Sequence, residues 1–178
     1  MNFKNYLESN AQIRAGIIPY YLDQGVVWVC LMIPSNANFG GLKPQIAKGR
    51  VEEGEDVQET AIREGEEELG LKRTNFAGPV VMVGQSMITG QEESYSFYCY
   101  AVQVKNIKDF NKPHYETGWS GFIPIEEALA KIKNTQKSLL LSTIKSYSLS
   151  HWIHLYSVSK FIILFNLCST YQILHAKQ

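Results

Sequence analysis

The stretch GRVEEGEDVQETAIREGEEELGL, residues 49–71, carries the strongest structural signals in this chain and is also its most unusual part. Glutamates stand at positions 64, 66, 67 and 68, where they repel one another, and Gly65 stands among them. Like charges three or four residues apart in a helix cost roughly 0.2–0.5 kcal/mol per pair, and a glycine inside a helix costs about 1 kcal/mol relative to alanine. Helix stability alone would not select this pattern, so we expect something outside the chain to compensate.

Local signals predict where the helix in this stretch begins and ends. Asp56, followed three residues later by Glu59, has the form of a capping box, and Gly70 has the form of a C-terminal stop. We therefore predict a helix from Val57 to Leu69.

At about 100° per residue, this helix has two different sides. Glu64, Glu67 and Glu68 lie together at the edge of its apolar side. Glu59 and Glu66 point to the far side. The apolar side, which we expect to be buried, consists of Val57, Ala61, Ile62, Gly65 and Leu69.

Three carboxylates that converge at the boundary between core and solvent are costly unless cations bind between them. Hard divalent cations take oxygen ligands of this kind, so Mg²⁺ or Mn²⁺ is the natural candidate. Because Mg²⁺ usually keeps water molecules and shares its shell with substrate phosphates, such a site suits pyrophosphate chemistry. The alternative interpretation is a solvated, negatively charged helix face.

The composition of the whole chain is that of one ordinary soluble domain: 178 residues, 45% hydrophobic and 19% charged. Lysine plus arginine equals aspartate plus glutamate at 17 each, so there is no overall basic field and we expect no DNA binding. Three widely spaced cysteines, Cys30, Cys99 and Cys168, argue against a disulfide framework or a structural zinc site. No signal peptide is recognisable in residues 1–12, and a cytoplasmic location is expected.

The remaining elements predict strands around the helix. Two β-branched and aromatic runs, residues 13–22 and 26–33, flank a turn and predict a hairpin. Pro34 to Pro44 is dense in Pro, Gly, Asn and Ser and predicts an exposed loop. Residues 80–87 and 94–104 predict two more strands.

The second half of the chain is less regular. Residues 106–121 lack periodicity and predict a long loop, whereas residues 122–133 and 138–147 predict a short strand end and two helices. Strands that bracket helices in mixed order predict an α/β or α+β sandwich.

The acidic stretch resembles a known sequence motif, the Nudix box GX5EX7REUXEEXGU, in which U is an aliphatic residue. Gly65 at the first U position is the one departure, and its place on the apolar side predicts either close approach of a neighbouring strand or a small void that is repacked. The resemblance covers roughly residues 12 to 147, and PQIAKGRVE is similar to small Nudix hydrolases of T-even-type bacteriophages. The fixed positions that match are Gly49, Glu55, Arg63, Glu64, Glu67, Glu68, Gly70 and Leu71.

This resemblance implies a Nudix fold, with a mixed β-sheet between α-helices. It also implies Mg²⁺- or Mn²⁺-dependent hydrolysis of a nucleoside diphosphate linked to another moiety, such as ADP-ribose or a dinucleoside polyphosphate. Position by position, it implies that Glu64, Glu67 and Glu68 are metal ligands, and that the Lys48 carbonyl adds another.

The resemblance also implies supporting residues. Glu55 and Arg63 would form a charge pair that orients the helix and its carboxylates, and Gly49 and Gly70 would shape the loops at its ends. Arg50 beside the first loop is a candidate phosphate contact because of its planar guanidinium.

Many family members use a further glutamate from a later loop as a base or an extra ligand. The candidates are Glu116 and the pair Glu92 and Glu93. We favour Glu116, which precedes Phe122 by six residues shortly before the next helix.

Aromatic residues offer candidates for stacking on a base or ribose, with core packing as the alternative for each. These candidates are Phe39, Tyr20, Tyr21 and Trp119. Phe39, in the Gly-rich loop, is assigned with Arg50 to substrate binding.

We assign residues 1–150 to the Nudix domain and residues 151–178 to an extension of unclear role. The extension is long and mostly uncharged, but Lys160, several Ser and Asn166 interrupt it and argue against membrane insertion. The alternatives are that it packs as an extra helix or that it is a poorly ordered extension. His151 and His154 lack acidic neighbours and are read as incidental. Dimers are common in the family, so a homodimer stays open. The alternative to an enzyme is a Nudix-fold module that binds nucleotides without cleaving them.

Overall fold

The computed structural model describes residues 12–39, 41–89 and 94–143, and these residues belong to one compact unit. Its strands are β1 (Gln12–Asp23), β2 (Val26–Pro34), β3 (Ala47–Arg50), β4 (Val81–Thr89), β5 (Ser94–Gln103) and β6 (Thr117–Pro124). Its helices are α1 (Val57–Leu69) and α2 (Ile125–Lys131), and residues 137–143 are also helical. Short 3₁₀ turns lie at Ala37–Phe39, Arg73–Asn75 and Asn134–Gln136.

The six strands form one mixed sheet, which confirms the predicted α/β (α+β) class. The order is β4-β5-β1-β2-β6, and β3 pairs with β1 off this path. β1 and β5 are parallel, whereas the other pairs are antiparallel. β1 is long enough to pair with β3 through residues 14–17 and with β2 through residues 20–23. This double pairing brings β3, and the start of the acidic stretch, to the centre of the sheet.

The predicted hairpin between β1 and β2 is confirmed. Asp23 pairs with Val26, which leaves a two-residue turn of Gln24 and Gly25 with φ of 46° and 82°. Positive φ at both positions is the conformation that suits the twist of an antiparallel hairpin.

Helix α1 begins and ends at the predicted residues. Asp56 Oδ1 accepts hydrogen bonds from the backbone N–H groups of Gln58 and Glu59, and Gly70 ends the helix in the left-handed conformation at φ 73°. The predicted capping box involved both Asp56 and Glu59, and only Asp56 takes its predicted part. The Glu59 carboxylate instead accepts a hydrogen bond from Arg73 Nη2 at 2.7 Å, because Arg73 lies over the solvent side of the first turns of α1.

The core lies on both faces of the sheet. Successive residues from Ala15 to Pro19 on β1 are all buried, which requires cover on both sides. Ala61 and Ile62 of α1 are buried in one apolar cluster with Ile17 and its neighbours on the sheet. Helix α2 packs against β2 and β6.

The prediction of a loop over residues 106–121 was wrong at its end, because β6 begins at Thr117 and pairs with β2. Glycines 118 and 121 suggested a loop, yet both lie in the strand. A Cβ on Gly118 would meet Ser35 Cα at 3.0 Å, and one on Gly121 would meet the Trp119 ring at 2.8 Å. These glycines permit close approach within the sheet.

Among the described residues, no helix is both long enough and apolar enough to cross a membrane. The predictions for residues 151–178, including His151 and His154, lie outside the described residues.

Candidate active site

The glutamates on one side of α1 open onto a cavity of about 580 Å³ beside β3. Glu64 is buried, Glu68 is half-buried and Glu67 is exposed. Charged side chains of both signs contribute to the wall. The described residues that line the cavity are Arg14, Met32, Asn38, Lys48, Gly49, Arg50, Glu64, Glu67, Glu68, Ile88, Tyr95, Glu116, Lys133, Thr135 and Gln136.

Gly49 lets the backbone of β3 lie directly against the buried Glu64 carboxylate. A Cβ built on Gly49 would overlap both carboxylate oxygens of Glu64. Any side chain at this position would therefore push Glu64 out of its place, which explains a glycine in a strand.

Arg63 ties α1 to the loop that precedes it. Its Nε donates to Glu55 Oε1 at 2.9 Å and its Nη2 donates to Glu55 Oε2 at 3.2 Å, a two-point pairing. Nη2 also donates to the Arg50 carbonyl at 3.2 Å. The hydrogen bonds from Arg63 lower the pKa of Glu55 to about 2. This is the charge pair that the sequence predicted.

The same guanidinium also contacts the acidic side of α1. Arg63 Nη1 donates to Glu64 Oε1 at 2.7 Å and lies 3.5 Å from Glu67 Oε2. Burial raises the pKa of Glu64, and the charge of Arg63 opposes that rise. The positive charge of Arg63 therefore pairs with the negative charges of Glu64 and Glu67.

Glu68 has a different partner, since its Oε2 accepts a hydrogen bond from the Lys48 backbone N–H at 2.8 Å. Burial raises the pKa of Glu68 to about 7; this hydrogen bond and the Lys48 charge oppose the rise, whereas the charges of Glu64 and Glu116 add to it. Burial also lowers the pKa of the Lys48 amine to about 8.

Glu116 reaches this cavity because its loop is bonded to the end of α1. The His114 N–H donates to the Glu67 carbonyl at 2.7 Å, and Thr117 Oγ1 donates to the Glu68 carbonyl at 2.9 Å. The structure thus brings Glu116 to the three glutamates of α1. The competing candidates, Glu92 and Glu93, lie outside the described residues.

The side chains at this cavity suit a hard divalent cation, because four carboxylates share the cavity and such cations prefer oxygen ligands. Glu64, Glu67 and Glu68 all line this cavity, and their role as metal ligands stays a prediction. Among residues 12–39, 41–89 and 94–143, no group of three His, Cys, Asp or Glu side chains is placed to hold a metal ion. The reason is that Arg63 draws Glu64 and Glu67 to itself, while the Lys48 N–H holds Glu68.

The other glutamate of the run and the unusual glycine lie away from the cavity. Glu66 Oε1 accepts a hydrogen bond from Arg73 Nε at 3.1 Å on the far side of α1, as the helical spacing predicted. A Cβ on Gly65 would lie 2.6 Å from Ile17 Cγ2, which confirms close approach of a strand.

Three of the four stacking candidates are not brought to the cavity. Tyr20, Tyr21 and Trp119 are absent from its described lining, and Trp119 lines a separate groove with Leu42. The side chain of Phe39 lies outside the described part of the structure.

Several residues that line the cavity had not been predicted from the sequence, among them Arg14, Tyr95 and Lys133. Arg14 carried a usable signal, since it is a charged residue within an otherwise apolar strand run. Lys133 carried none, because its position depends on how the segment after α2 folds back onto the sheet.

Comparison with known proteins agrees with this architecture. A sequence model of the NUDIX domain matches residues 11–142. A search of curated proteins found no match.

Solved structures share the fold at low sequence identity. An Ap4A hydrolase of C. elegans, in a binary complex, is 19% identical with a TM-score of 0.66 over 78% of this chain and 98% of that chain. The NUDIX domain of Shewanella oneidensis NrtR, complexed with ADP ribose, is 14% identical with a TM-score of 0.61 over 83% and 99%. A NUDIX hydrolase from Nitrosomonas europaea is 20% identical with a TM-score of 0.56 over 79% and 90%.

The domain match spans most of the chain, the fold agrees with these structures, and the motif glutamates share one cavity. The chain therefore belongs to the Nudix family.

Proposed function

We propose that this protein hydrolyses a pyrophosphate bond in a nucleoside diphosphate linked to another moiety, such as ADP-ribose or a dinucleoside polyphosphate, with Mg²⁺ or Mn²⁺. The observation that carries the proposal is the single cavity in which Glu116 joins Glu64, Glu67 and Glu68 of α1. Structures that share the fold include an Ap4A hydrolase and a domain complexed with ADP ribose.

Members of the family generally use divalent metal ions. In this chain, Glu64, Glu67 and Glu68 would hold the ion, with the Lys48 carbonyl as a further ligand. When bound, the ion supplies charge neutralisation for the leaving phosphate and lowers the pKa of a water molecule.

The protein's own groups supply binding and proton transfer. Arg50 binds a phosphate through its guanidinium. As the water oxygen bonds to phosphorus and the bond to the bridging oxygen breaks, Glu116 accepts the proton of the water. Arg63, held by Glu55, keeps Glu64 in place against Gly49.

The test is release of nucleoside monophosphate from a panel of nucleotide derivatives with Mg²⁺ or Mn²⁺, for the wild type and Glu67→Gln. We expect the substitution to lower kcat by at least about 10- to 100-fold, the loss that removal of a partner outside the first coordination shell already causes. Glu66→Gln is a matched control, because Glu66 lies one residue away and pairs with Arg73 on the far side of α1. Its activity should stay within about threefold of the wild type.

The same assay distinguishes the enzyme from a binding module. If the wild type cleaves no nucleotide in the panel while equilibrium dialysis shows that one binds, the proposal is wrong and the module is favoured. A Glu116→Gln variant with full activity across the pH range would remove Glu116 from the mechanism.

A further inference from the structure

The loop between β5 and β6 caps the C-terminal end of α1. The last four carbonyls of a helix have no partner within the helix, and those of Glu67 and Glu68 belong to this set. The Glu67 carbonyl accepts from the His114 N–H at 2.7 Å, and the Glu68 carbonyl accepts from Thr117 Oγ1 at 2.9 Å. The loop that carries Glu116 is therefore bonded to two residues whose side chains line the cavity.

Glu116 and its two neighbours in sequence face different spaces. Glu116 lines the cavity, whereas Tyr115 and Thr117 line a groove on the other side of the loop. Successive side chains of an extended chain alternate in this way. Because Thr117 is absent from the described lining of the cavity, it can affect the reaction only through the backbone at Glu116 or through α1.

The backbone at Glu116 is also held from the side of β2. The Ser35 N–H donates to the Glu116 carbonyl at 2.8 Å. Gly118 permits this approach, because a Cβ there would meet Ser35 Cα at 3.0 Å and the Pro34 carbonyl oxygen at 3.1 Å. The main chain at Glu116 is therefore fixed between the end of α1 and the end of β2.

Of the three contacts just described, only the one from Thr117 depends on a side chain. The contacts from His114 and Ser35 use backbone N–H groups, which every residue except proline has. The end of α1 does not need the hydroxyl, because the Gly70 N–H donates to the Gly65 carbonyl and closes the helix. Loss of the Thr117 hydroxyl should therefore loosen the loop and leave α1 in place.

We propose that Thr117 is a positioning residue for Glu116: its hydroxyl bond to the end of α1 holds the Glu116 carboxylate in register with the glutamates of that helix. This inference rests on the proposed function, in which Glu116 accepts the proton of the attacking water. Thr117 lies outside the motif of residues 49–71, so the role is carried by the tertiary contact and not by the motif.

The test compares steady-state kinetics of the wild type, Thr117→Val and Thr117→Ser on the best substrate of the panel. Valine is close to threonine in size but cannot donate a hydrogen bond, whereas serine keeps the donor. We expect Thr117→Val to lower kcat about 5- to 50-fold, less than the roughly 100-fold effect of a 1 Å misplacement, because the backbone contacts remain. KM should change less than about twofold, and Thr117→Ser should restore kcat to within about threefold of the wild type.

A double-substitution cycle with Glu116→Gln separates positioning from other effects of Thr117. In the Glu116→Gln background, Thr117→Val should lower kcat by less than about twofold, because a residue that acts through Glu116 loses its effect when that carboxylate is absent. Single turnovers with the enzyme in excess resolve the slow variants. A role through α1 or through general stability would instead lower kcat equally in both backgrounds.

Thr143→Val is the matched control. It removes a buried hydroxyl that donates to the Leu139 carbonyl at 3.2 Å, so the chemical change is the same as in Thr117→Val. Thr143 is absent from the described lining of the cavity. We expect it to lower the urea midpoint of unfolding at least as much as Thr117→Val does, with kcat within about twofold of the wild type.

The outcomes separate this inference from the proposed function. Wild-type kcat in Thr117→Val, a Thr117→Ser variant as slow as Thr117→Val, or equal losses with and without the Glu116 carboxylate would each overturn the positioning role and leave the enzyme standing. Full activity of Glu116→Gln would do the same. A wild type that cleaves nothing overturns the proposed function, and the positioning role with it.

Discussion

Gly49 shows how one missing side chain makes room for a neighbouring carboxylate. Because a Cβ at this position would overlap the Glu64 carboxylate, Gly49→Ala must displace that carboxylate from the cavity. We expect kcat to fall about 100-fold, since a misplacement of about 1 Å at an active site has an effect of this size.

Steady-state kinetics on the best substrate of the panel check this expectation. Gly78→Ala is the control, because a Cβ there meets open space and its φ is not left-handed. Equal activity of the Gly49→Ala and Gly78→Ala variants would show that Glu64 tolerates displacement.

Gly65 is a packing position, and its substitution should act on stability. Alanine would favour helix α1 by about 1 kcal/mol, but its Cβ would lie 2.6 Å from Ile17 Cγ2 and 3.0 Å from Leu71 Cδ2. Both neighbours are buried, so neither can move away freely. We expect overpacking to dominate and Gly65→Ala to lower the free energy of unfolding by about 1–3 kcal/mol.

Urea unfolding of the Gly65→Ala variant measures this change. A variant as stable as the wild type would show that β1 and α1 can separate slightly, so that the helix preference of alanine dominates.

Helix α1 as an element is oriented by the Glu55–Arg63 pair, and this pair makes stability depend on pH. The pKa of Glu55 falls from 4.5 to about 2 on folding, so the unfolded chain binds the proton more tightly. The pair therefore contributes its full stability above about pH 4.5 and loses it as the pH falls towards 2. With 20% of the Glu55 side chain exposed, we expect about 1–3 kcal/mol.

Urea unfolding of Glu55→Gln in EDTA, from neutral to acidic pH, tests this. The variant should be less stable than the wild type at pH 7, and the difference should shrink between about pH 4.5 and 2. Glu53→Gln, at a nearby exposed glutamate, should behave like the wild type. A stability difference that is constant down to pH 2 would contradict the assigned role of the pair.

At the scale of the whole molecule, the helical residues 137–143 belong to the core of the Nudix domain. Leu140 is 0% exposed, whereas its neighbour Leu141 is 45% exposed. Leu140→Ala should therefore lower the free energy of unfolding by about 2–5 kcal/mol, and Leu141→Ala by less than about 1 kcal/mol. Thermal or urea unfolding of the two variants measures these changes. If both substitutions lowered the free energy of unfolding equally, residues 137–143 would lie outside the part of the protein that unfolds cooperatively.

The elements that were predicted well are those whose signals are local. The β1–β2 hairpin follows from the Gln24–Gly25 turn between two β-branched runs, and α1 follows from Asp56, Gly70 and the apolar spacing between them. The start of β6 was missed because Gly118 is a loop signal by itself. Only the contact with β2 shows why a strand needs a glycine there.

The candidate site likewise has one part that local sequence signals predicted and another part that they did not. Helical periodicity alone placed Glu64, Glu67 and Glu68 on one side of α1 and Glu66 on the other, because residues within one element keep a fixed geometry. It did not place Arg63, whose contacts with Glu64 and Glu67 depend on how the side chains pack.

The residues alone were enough to predict the family, the acidic helix and the residues at its two ends, since these signals lie between residues a few positions apart. That Glu116, Arg14 and Lys133 line the same cavity as the glutamates of α1 follows only from the folded structure. Those encounters depend on contacts between distant parts of the chain. The hydrogen bond from the Ile46 N–H to Gln136 spans 90 residues, and no local pattern encodes such a contact.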